Sequence, residues 1–259
     1  MKEGNNMKKM LLTSMVLSSL LVVTACNQQA ETKTSESSSH TQESSTKKEA
    51  GHFDYDAQEE WEQVAGTMQS PIDIPSSAAT EMTDKGDITI DYSSKITKAE
   101  NNGHSIQLTD SGTAVINQRN FELTQFHFHA ESEHTIDGKH YPMEAHFVNQ
   151  AQDGRIAVIG VFFEIGQENK GFQEVLDDVK KQADDEITDI QTMFPENKSY
   201  YHYLGSLTTP PLSENVEWYV MKNPVEVSAE QIKEFQEFYD HNNREIQPLN
   251  DRAVLEHDE

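Results

Sequence analysis

The segment from Phe121 to His129 is rich in aromatic and other strand-favouring residues, and it holds two histidines, His127 and His129, at spacing i, i+2. Because side chains on a β-strand alternate between its two faces, both imidazoles point to the same side. A third histidine, His146, follows the dipeptide Asp137-Gly138, which suits a two-residue hairpin turn. Such a turn pairs residues whose numbers sum to 275, as 137 and 138 do, so we expect His129 to lie opposite His146.

These three histidines have the character of a catalytic metal site. Three neutral imidazoles with a fourth position left open form the ligand set of catalytic zinc, whereas structural zinc normally takes four protein ligands that include cysteine. No cysteine lies near them. Gln125 and Glu144 each precede a histidine by two residues, where they can accept the second N–H of a ligand ring. The spacing leaves two interpretations open, a zinc site and ordinary hydrogen-bonded strand histidines.

Residues 1–26 have the pattern of an export signal. Two lysines precede an apolar stretch, from Met10 to Val23, that is too short for a membrane-spanning helix. The stretch ends in Val-Thr-Ala before Cys26, which resembles the lipobox of bacterial lipoproteins. We therefore expect acylation of Cys26 and anchoring to the outer face of the bacterial cell membrane, on the periplasmic side in a Gram-negative cell. An ordinary secretory signal is the alternative.

The rest of the chain divides into a tether and one domain. Residues 27–51 are rich in Ser, Thr, Glu, Gln and Lys and have almost no apolar residues, so we expect a flexible tether. Residues 52–259 contain no internal repeat and no second linker, which favours a single domain. Cys26 is the only cysteine, so this domain has no disulfide. The formal net charge of −25 argues against nucleic-acid binding, which requires clustered lysine and arginine.

Alternating apolar and polar residues predict a β-dominated α+β domain with few helices. One helix is expected where apolar residues recur at i, i+3, i+4 and i+7 from Phe172 to Val179. A second begins at Ser228, which forms a capping-box pattern with Gln231, and carries apolar residues as far as Phe238. The predicted strands are Asp87–Tyr92, His104–Thr109, Thr113–Asn117, Asn120–His129, Met143–Gln150, Arg155–Ile165 and Asn215–Met221.

Several short motifs follow one another between residues 52 and 255. They are Gln69-Ser70-Pro71-Ile72-Asp73-Ile74, Asn101-Asn102-Gly103-His104, Glu131-Ser132-Glu133-His134-Thr135, Gly205-Ser206-Leu207-Thr208-Thr209-Pro210-Pro211-Leu212, Asn242-Asn243-Arg244 and Gln247-Pro248-Leu249. Together with the three histidines, these motifs resemble the α-class carbonic anhydrases in order and spacing. The resemblance implies a large, mostly antiparallel twisted sheet with a few peripheral helices, and a zinc ion at the bottom of a cone-shaped cleft.

The resemblance also implies a reaction. The three histidines would bind Zn²⁺, and hydroxide on that zinc would attack CO2, giving bicarbonate and a proton in a reversible reaction. Thr208 would accept the hydrogen bond of this hydroxide, and Glu133 would accept one from the Thr208 hydroxyl. His104 would be the proton shuttle. A straight hairpin would carry Glu133 well past the metal, so we expect the chain between His129 and Met143 to fold back.

Further residues take supporting roles by the same resemblance. The substrate-binding residues are Thr208, Thr209 and an apolar wall of Val148, Val158, Leu207, Val216 and Trp218. The connecting waters are ordered by Tyr55, Asn102 and Gln107. The three ligands donate their second N–H to Gln125, Glu144 and the backbone carbonyl of Asn242.

Two positions depart from the family pattern, and two other functions stay open. Ala130 stands where many relatives have tryptophan, and Glu245 stands where proline is usual. One alternative function is a zinc esterase that uses the same hydroxide. The other is a non-catalytic surface-binding lipoprotein of the same fold, against which the complete ligand set argues. The oligomeric state, monomer or dimer, is left open.

Overall fold

The computed structural model describes residues 53–61 and 66–259. The predicted signal segment (1–26), its acylation site Cys26 and the predicted tether (27–51) lie outside these residues, so the interpretations of them stay predictions. No helix in the described ranges is long and apolar enough to cross a lipid bilayer.

The domain is organised around one large sheet. Its strands in chain order are β1 (Asp73–Ile74), β2 (Thr80–Glu81), β3 (Ile88–Tyr92), β4 (Lys98–Asn101), β5 (Ile106–Thr109), β6 (Gly112–Ile116), β7 (Arg119–His129), β8 (Thr135–Ile136), β9 (Met143–Gln150), β10 (Ile156–Ile165), β11 (Tyr200–Ser206), β12 (Glu214–Met221), β13 (Val225–Val227) and β14 (Leu255–His257). All of these belong to a twelve-stranded sheet except β1 and β8, which pair with each other. The main path of the large sheet runs β2-β14-β11-β12-β10-β9-β7-β5-β4.

Pairing in the large sheet is mixed but mainly antiparallel. β7, β9 and β10 are antiparallel neighbours, whereas β10 runs parallel to β12 and β13, and β14 runs parallel to β2. The stretch Ala157–Phe163 of β10 is continuously buried, as expected for a central strand that is covered on both faces. The predicted fold class, β-dominated α+β with a large sheet and few helices, is confirmed.

The two faces of the sheet pack against different apolar clusters. In β9, Ala145 and Phe147 point into the larger cluster, which also takes in the apolar sides of the two α-helices. The alternate residue Val148 points to the opposite face and packs against a smaller cluster around Val158 and Trp218. His146 lies on this second face because it is two residues from Val148. The candidate site is therefore built on the face with the smaller cluster.

Both predicted α-helices are present. The first, α1 (Lys170–Lys181), is capped by Asn169, whose side chain accepts from the Phe172 N–H, and it buries the apolar residues predicted for it. The second, α2 (Ala229–Gln236), has Ser228 as its N-cap in the predicted capping box. It ends before Phe238, which packs against the core from beyond the helix. Short 3-10 helices span Tyr55–Glu60, Ser76–Ala78 and Ile190–Met193.

Each predicted strand is present, with its ends shifted by at most two residues. The sequence patterns do not predict β11, although its run of tyrosines is typical of strands. They also do not predict the short strands β1, β2, β8, β13 and β14 or the polar strand β4. Strands of two or three residues carry too few side chains for alternation to be visible, and they form because distant segments pair with them.

The predicted register between β7 and β9 is wrong. His127, not His129, lies opposite His146, and His129 lies opposite Glu144. The two-residue turn itself is confirmed, because Ile136 and Lys139 exchange backbone hydrogen bonds of 3.2 and 3.0 Å across it. Nearer the sheet, however, the Ser132 N–H donates to the Tyr141 carbonyl at 2.9 Å. The residue numbers of the Ile136–Lys139 pair sum to 275 and those of the Ser132–Tyr141 pair sum to 273. The register therefore shifts by two residues between the two pairs.

A bulge explains this shift. Three residues separate Ser132 from Ile136, but only one separates Lys139 from Tyr141. The extra residues carry Glu133 and His134 into the interior, where neither is exposed to solvent. The expected departure from a straight hairpin thus occurs as a bulge and not as a fold-back, and it brings Glu133 beside the histidines.

Candidate active site

Three histidines from two neighbouring strands converge on one point. β7 supplies His127 and His129, and β9 supplies His146 from the position opposite His127. Their ring centroids are separated by 5.0 Å (127 to 129), 5.3 Å (127 to 146) and 4.6 Å (129 to 146). One nitrogen from each ring lies within 4.8 Å of the other two, so one metal ion can contact all three.

The second nitrogen of each ring is held by an oxygen. His127 Nδ1 donates to Gln125 Oε1 at 2.8 Å, and His129 Nδ1 donates to the backbone carbonyl of Asn242 at 2.7 Å. His146 Nε2 lies 3.0 Å from Glu144 Oε1, close enough for an ion pair but not aligned as a hydrogen bond. The structure thus brings together the three predicted supporting oxygens. They leave Nε2 of the two β7 histidines and Nδ1 of His146 to face the common point.

Burial keeps the β7 imidazoles neutral. It lowers the pKa of His127 well below the ordinary value, and the neighbouring imidazoles lower it further. Burial also lowers the pKa of His129, although the charge of Glu133 opposes the change. Only a neutral imidazole has a lone pair to give to a metal, so these rings are in the form that binds one.

Unpaired buried atoms around the common point fit a metal ion. His129 Nε2 and Glu133 Oε2 are buried and have no hydrogen-bond partner among the described residues, and they lie 3.6 Å apart. Glu133 Oε2 is also 3.8 Å from His146 Nδ1. Buried polar atoms without partners are costly, so several at one point indicate a site for a bound ion or water.

A second group, His134, Glu144 and His146, also has the spacing of metal ligands. Here, however, hydrogen bonds already occupy the donor atoms. His134 Nδ1 donates to Glu144 Oε1 at 2.8 Å, and its backbone N–H donates to Oε2 at 2.8 Å. Burial would raise the pKa of Glu144, but His134 and His146 hold it well below the ordinary value, so the carboxylate is anionic. This group supports the ligands and does not compete for the metal.

The expected hydrogen bond from Thr208 to Glu133 is absent from the described residues. Glu133 Oε1 accepts from the backbone N–H of Arg244 at 2.8 Å, while Oε2 turns toward the histidines and has no hydrogen-bond partner. Thr208 is buried on the turn that joins β11 to β12, and Thr209 follows it there, half-buried. The structure instead places this buried carboxylate oxygen beside the imidazole nitrogens, 3.6 Å from His129 Nε2 and 3.8 Å from His146 Nδ1, so the role of the Thr208–Glu133 pair stays a prediction.

His104 is half-buried at the end of an exposed loop that leads into β5, the strand that pairs with β7. Its backbone carbonyl accepts from the Asn242 side chain at 3.1 Å, and its ring stacks on Phe53 at 3.8 Å between centroids. The side chain of Asn102 caps this loop, since its Oδ1 accepts from the His104 N–H at 2.9 Å. Its Nδ2 donates to Gln107 at 3.4 Å, which brings these two predicted water-ordering residues together.

Tyr55 directs its hydroxyl into the same region. The hydroxyl oxygen is buried and has no hydrogen-bond partner among the described residues. Burial raises the pKa of Tyr55 well above the ordinary value, and the charge of Glu133 adds to this effect, so the phenol stays protonated. A protonated hydroxyl near Glu133 can order a water molecule, as the prediction requires.

The predicted apolar wall forms one cluster beside His146. Val148, Val158 and Trp218 occupy adjacent positions on β9, β10 and β12, and Val216 and Leu207 belong to the same cluster. The ring of Trp218 lies 4.8 Å from that of His146 between centroids. The structure therefore places a surface suited to a small apolar molecule next to the third histidine.

Sequence reasoning misses several buried polar residues that support the site. His134, Tyr203 and Ser70 are hydrogen-bonded in series behind Glu144. Arg244 donates from its guanidinium to the Ser70 carbonyl at 2.6 Å and to Gln69 Oε1 at 3.0 Å. His134, Ser70 and Arg244 fall in motifs that the sequence contains, but nothing in the spacing indicates that they meet.

Comparison with known proteins identifies the family of this chain. The family model for eukaryotic-type carbonic anhydrase matches residues 56–258. A carbonic anhydrase from Pectobacterium carotovorum is 40% identical over 198 residues, which are 73% of this chain and 80% of that protein. One from Neisseria gonorrhoeae is 33% identical over 222 residues, 80% of this chain and 87% of that protein.

A solved structure has the same fold as this chain. The α-carbonic anhydrase from Thermovibrio ammonificans, in complex with the inhibitor sulfanilamide, superposes with a TM-score of 0.68 at 44% sequence identity. The match covers 73% of this chain and 87% of that one. The resemblance found in the sequence motifs is thereby confirmed, and the chain belongs to the eukaryotic-type, or α-class, carbonic anhydrase family.

Proposed function

We propose that this carbonic anhydrase catalyses the reversible hydration of CO2 with a zinc ion held by His127, His129 and His146. The observation that carries the proposal is the arrangement of these rings, in which one nitrogen of each lies within 3.0 Å of an oxygen and the other faces a shared point. Three imidazole nitrogens without cysteine, and with room for a fourth ligand, suit catalytic zinc.

Zinc bound there would supply a water molecule acidic enough to lose its proton near neutral pH, an effect for which carbonic anhydrase is itself the standard example. The chain's own residues supply the rest. The apolar cluster of Val148, Val158 and Trp218 holds CO2, which carries no net charge and needs no polar partner. Thr208, which directly follows Leu207 of this cluster, would orient the attacking oxygen by accepting its hydrogen bond.

Proton removal is the task of His104. An imidazole with a pKa near neutrality can take a proton from the site and pass it to buffer. His104 is half-buried, so its ring has access to both the interior and solvent. Tyr55, Asn102 and Gln107 line the approach and order the waters through which the proton moves.

The experiment that tests this function is CO2 hydration measured before and after removal of metal with a chelator, and again after zinc is added back. We expect activity to disappear with the metal and to return with zinc. Ester hydrolysis is measured on the same samples, since faster ester turnover than CO2 turnover would favour the esterase alternative. A protein that binds no zinc and hydrates no CO2 would support a surface-binding role instead.

We further propose that the protein is exported and held at the outer face of the cell membrane by acyl chains on Cys26. The support is the sequence of residues 1–26, in which a short apolar stretch ends at this cysteine. Cys26→Ser should abolish labelling by a fatty-acid probe and release the enzyme from the membrane fraction. Membrane retention of this variant would contradict the proposal.

A further inference from the structure

A chain of hydrogen bonds runs through the interior behind Glu144. Glu144 Oε1 is bonded to His134 Nδ1 at 2.8 Å, and His134 Nε2 to the Tyr203 hydroxyl at 2.6 Å. The chain continues from Tyr203 to Ser70 Oγ at 2.8 Å and from Ser70 Oγ to the Ser206 N–H at 3.1 Å. All five residues are at most 1% exposed. Water therefore cannot replace a lost partner easily.

The carboxylate end of this chain has a fixed hydrogen-bonding character, which sets the direction of every bond when the His134 ring is neutral. The Glu144 carboxylate only accepts, so His134 Nδ1 carries a hydrogen and donates it. In a neutral imidazole the other nitrogen then accepts, so the Tyr203 hydroxyl donates to His134 Nε2. Ser70 in turn donates to Tyr203 and accepts from the Ser206 backbone N–H, which can only donate.

Two glycines make room for the chain. A Cβ atom at Gly205 would lie 2.1 Å from Ser70 Oγ and 2.8 Å from the Tyr203 ring. A Cβ atom at Gly160 would lie 2.9 Å from Glu144 Oε1. Any larger residue at either position would push a member of the chain aside, so the backbone here is fitted to these side chains.

We propose that Tyr203 is a positioning residue for the metal and acts through His134 and Glu144. Its hydroxyl fixes the tautomer of His134, and the two donors of His134 hold both oxygens of the Glu144 carboxylate. Held in this way, Oε1 stays beside His146 Nε2 and keeps Nδ1 of that ring directed at the other two ligands. The inference rests on the proposed function, since it requires that the three histidines hold zinc.

The proposal predicts faster metal loss when the Tyr203 hydroxyl is removed. In Tyr203→Phe, His134 Nε2 has no donor, and Glu144 is less firmly held. Removing a residue that directly orients a metal ligand typically costs 10- to 100-fold in metal affinity. Tyr203 acts on the ligand His146 only through His134 and Glu144, so we expect an effect at the lower end, about 10-fold faster zinc release. The release rate is measured by transfer of zinc to a chromogenic chelator in excess.

Tyr200→Phe is the matched control. Tyr200 is a buried tyrosine on the same strand, and its hydroxyl donates to the Gly86 carbonyl at 2.7 Å, far along the chain from the histidines. Each variant loses the two hydrogen bonds of its hydroxyl, those to His134 and Ser70 in Tyr203→Phe and those to Gly86 and Met82 in Tyr200→Phe. Urea unfolding of the metal-free proteins should therefore show losses of stability of the same order. Zinc release should accelerate in Tyr203→Phe and stay at the wild-type rate in Tyr200→Phe.

A double-mutant cycle with Glu144→Gln tests the route of the effect. If Tyr203 acts through Glu144, then Tyr203→Phe should change the release rate little once the carboxylate is gone. Wild-type release from Tyr203→Phe, or the same acceleration in the Glu144→Gln background, would overturn the inference. If Tyr203→Phe does not fold, Ser70→Ala takes its place, and accelerated release supports the inference while wild-type release overturns it. A wild-type protein that binds no zinc would instead contradict the proposed function.

Discussion

Replacing Asn242 by alanine tests how the ligand strand is held in place. The side chain of Asn242 is fully buried and makes three hydrogen bonds to backbone groups. Its Oδ1 accepts from the Ala130 N–H at 2.9 Å, and its Nδ2 donates to the carbonyls of Phe128 and His104 at 2.9 and 3.1 Å. The bond from His129 goes to the Asn242 backbone carbonyl, which alanine retains.

The expected cost follows from these contacts. Three hydrogen bonds at about 1 kcal/mol each, together with about 1–2 kcal/mol for the Ala130 N–H left unpaired, give a loss of about 4–5 kcal/mol in the free energy of unfolding. That is a large part of the ~5–15 kcal/mol that stabilises a typical domain. Zinc should also bind more weakly, because the residue whose carbonyl orients His129 is then held only by its backbone N–H, which donates to the Ala130 carbonyl at 3.0 Å.

The assay is urea unfolding of the metal-free proteins, followed by zinc competition with a chelator. Asn243→Ala is the matched control, since the neighbouring Asn243 is half-buried and its side chain makes no hydrogen bond to the described residues. We expect a change within about 0.5 kcal/mol for the control. A loss below about 1 kcal/mol for Asn242→Ala would refute the reasoning, because it would mean that the three bonds contribute almost nothing.

Three further predictions follow from other parts of the site and the core. Burial raises the pKa of Asp110 to about 6. The folded protein therefore keeps the carboxyl proton at pH values where the unfolded chain has lost it, and stability falls as the pH rises from about 4 to about 6. Asp110→Asn should remove this loss of stability. In urea unfolding, the change in free energy of unfolding caused by the substitution should be about 1–2 kcal/mol more favourable at pH 7.5 than at pH 4. An equal change at both pH values would contradict this prediction. Gly160→Ala should weaken zinc binding by about 10-fold in chelator competition, because its Cβ displaces Glu144; unchanged binding would show that the carboxylate can move freely. His104→Ala should lower CO2 turnover by about 10-fold or more in dilute buffer and recover with added imidazole, and the absence of either effect would remove His104 from proton transfer.

The convergence of the three histidines could be predicted because it depends on local spacing. His127 and His129 share a face whatever the strand pairs with, since the period of a strand is two residues. Gln125 and Glu144 could be predicted for the same reason, because each is two residues from a ligand on that face. These relations survive an error in register, and so the wrong pairing of His129 with His146 did not affect the ligand set.

What the sequence could not supply depends on contacts between distant segments. The bulge at Glu133 and His134 adds two residues to one strand, and no turn signal indicates it. The chain from Ser70 to Glu144 joins residues more than 60 positions apart, and Tyr203 has the appearance of an ordinary strand tyrosine. Glu133 Oε2 lies beside the imidazoles of His129 and His146, and the expected bond from Thr208 is absent from the described residues.

The most direct test of the central claim is zinc content and CO2 hydration measured together on His146→Ala. This variant removes one ligand and leaves two histidines on β7, too few to hold zinc tightly. We predict that it purifies without zinc and shows no hydration above the uncatalysed rate, while the wild-type protein carries stoichiometric zinc and is active. A folded His146→Ala protein that lacks zinc and still hydrates CO2 would contradict the account.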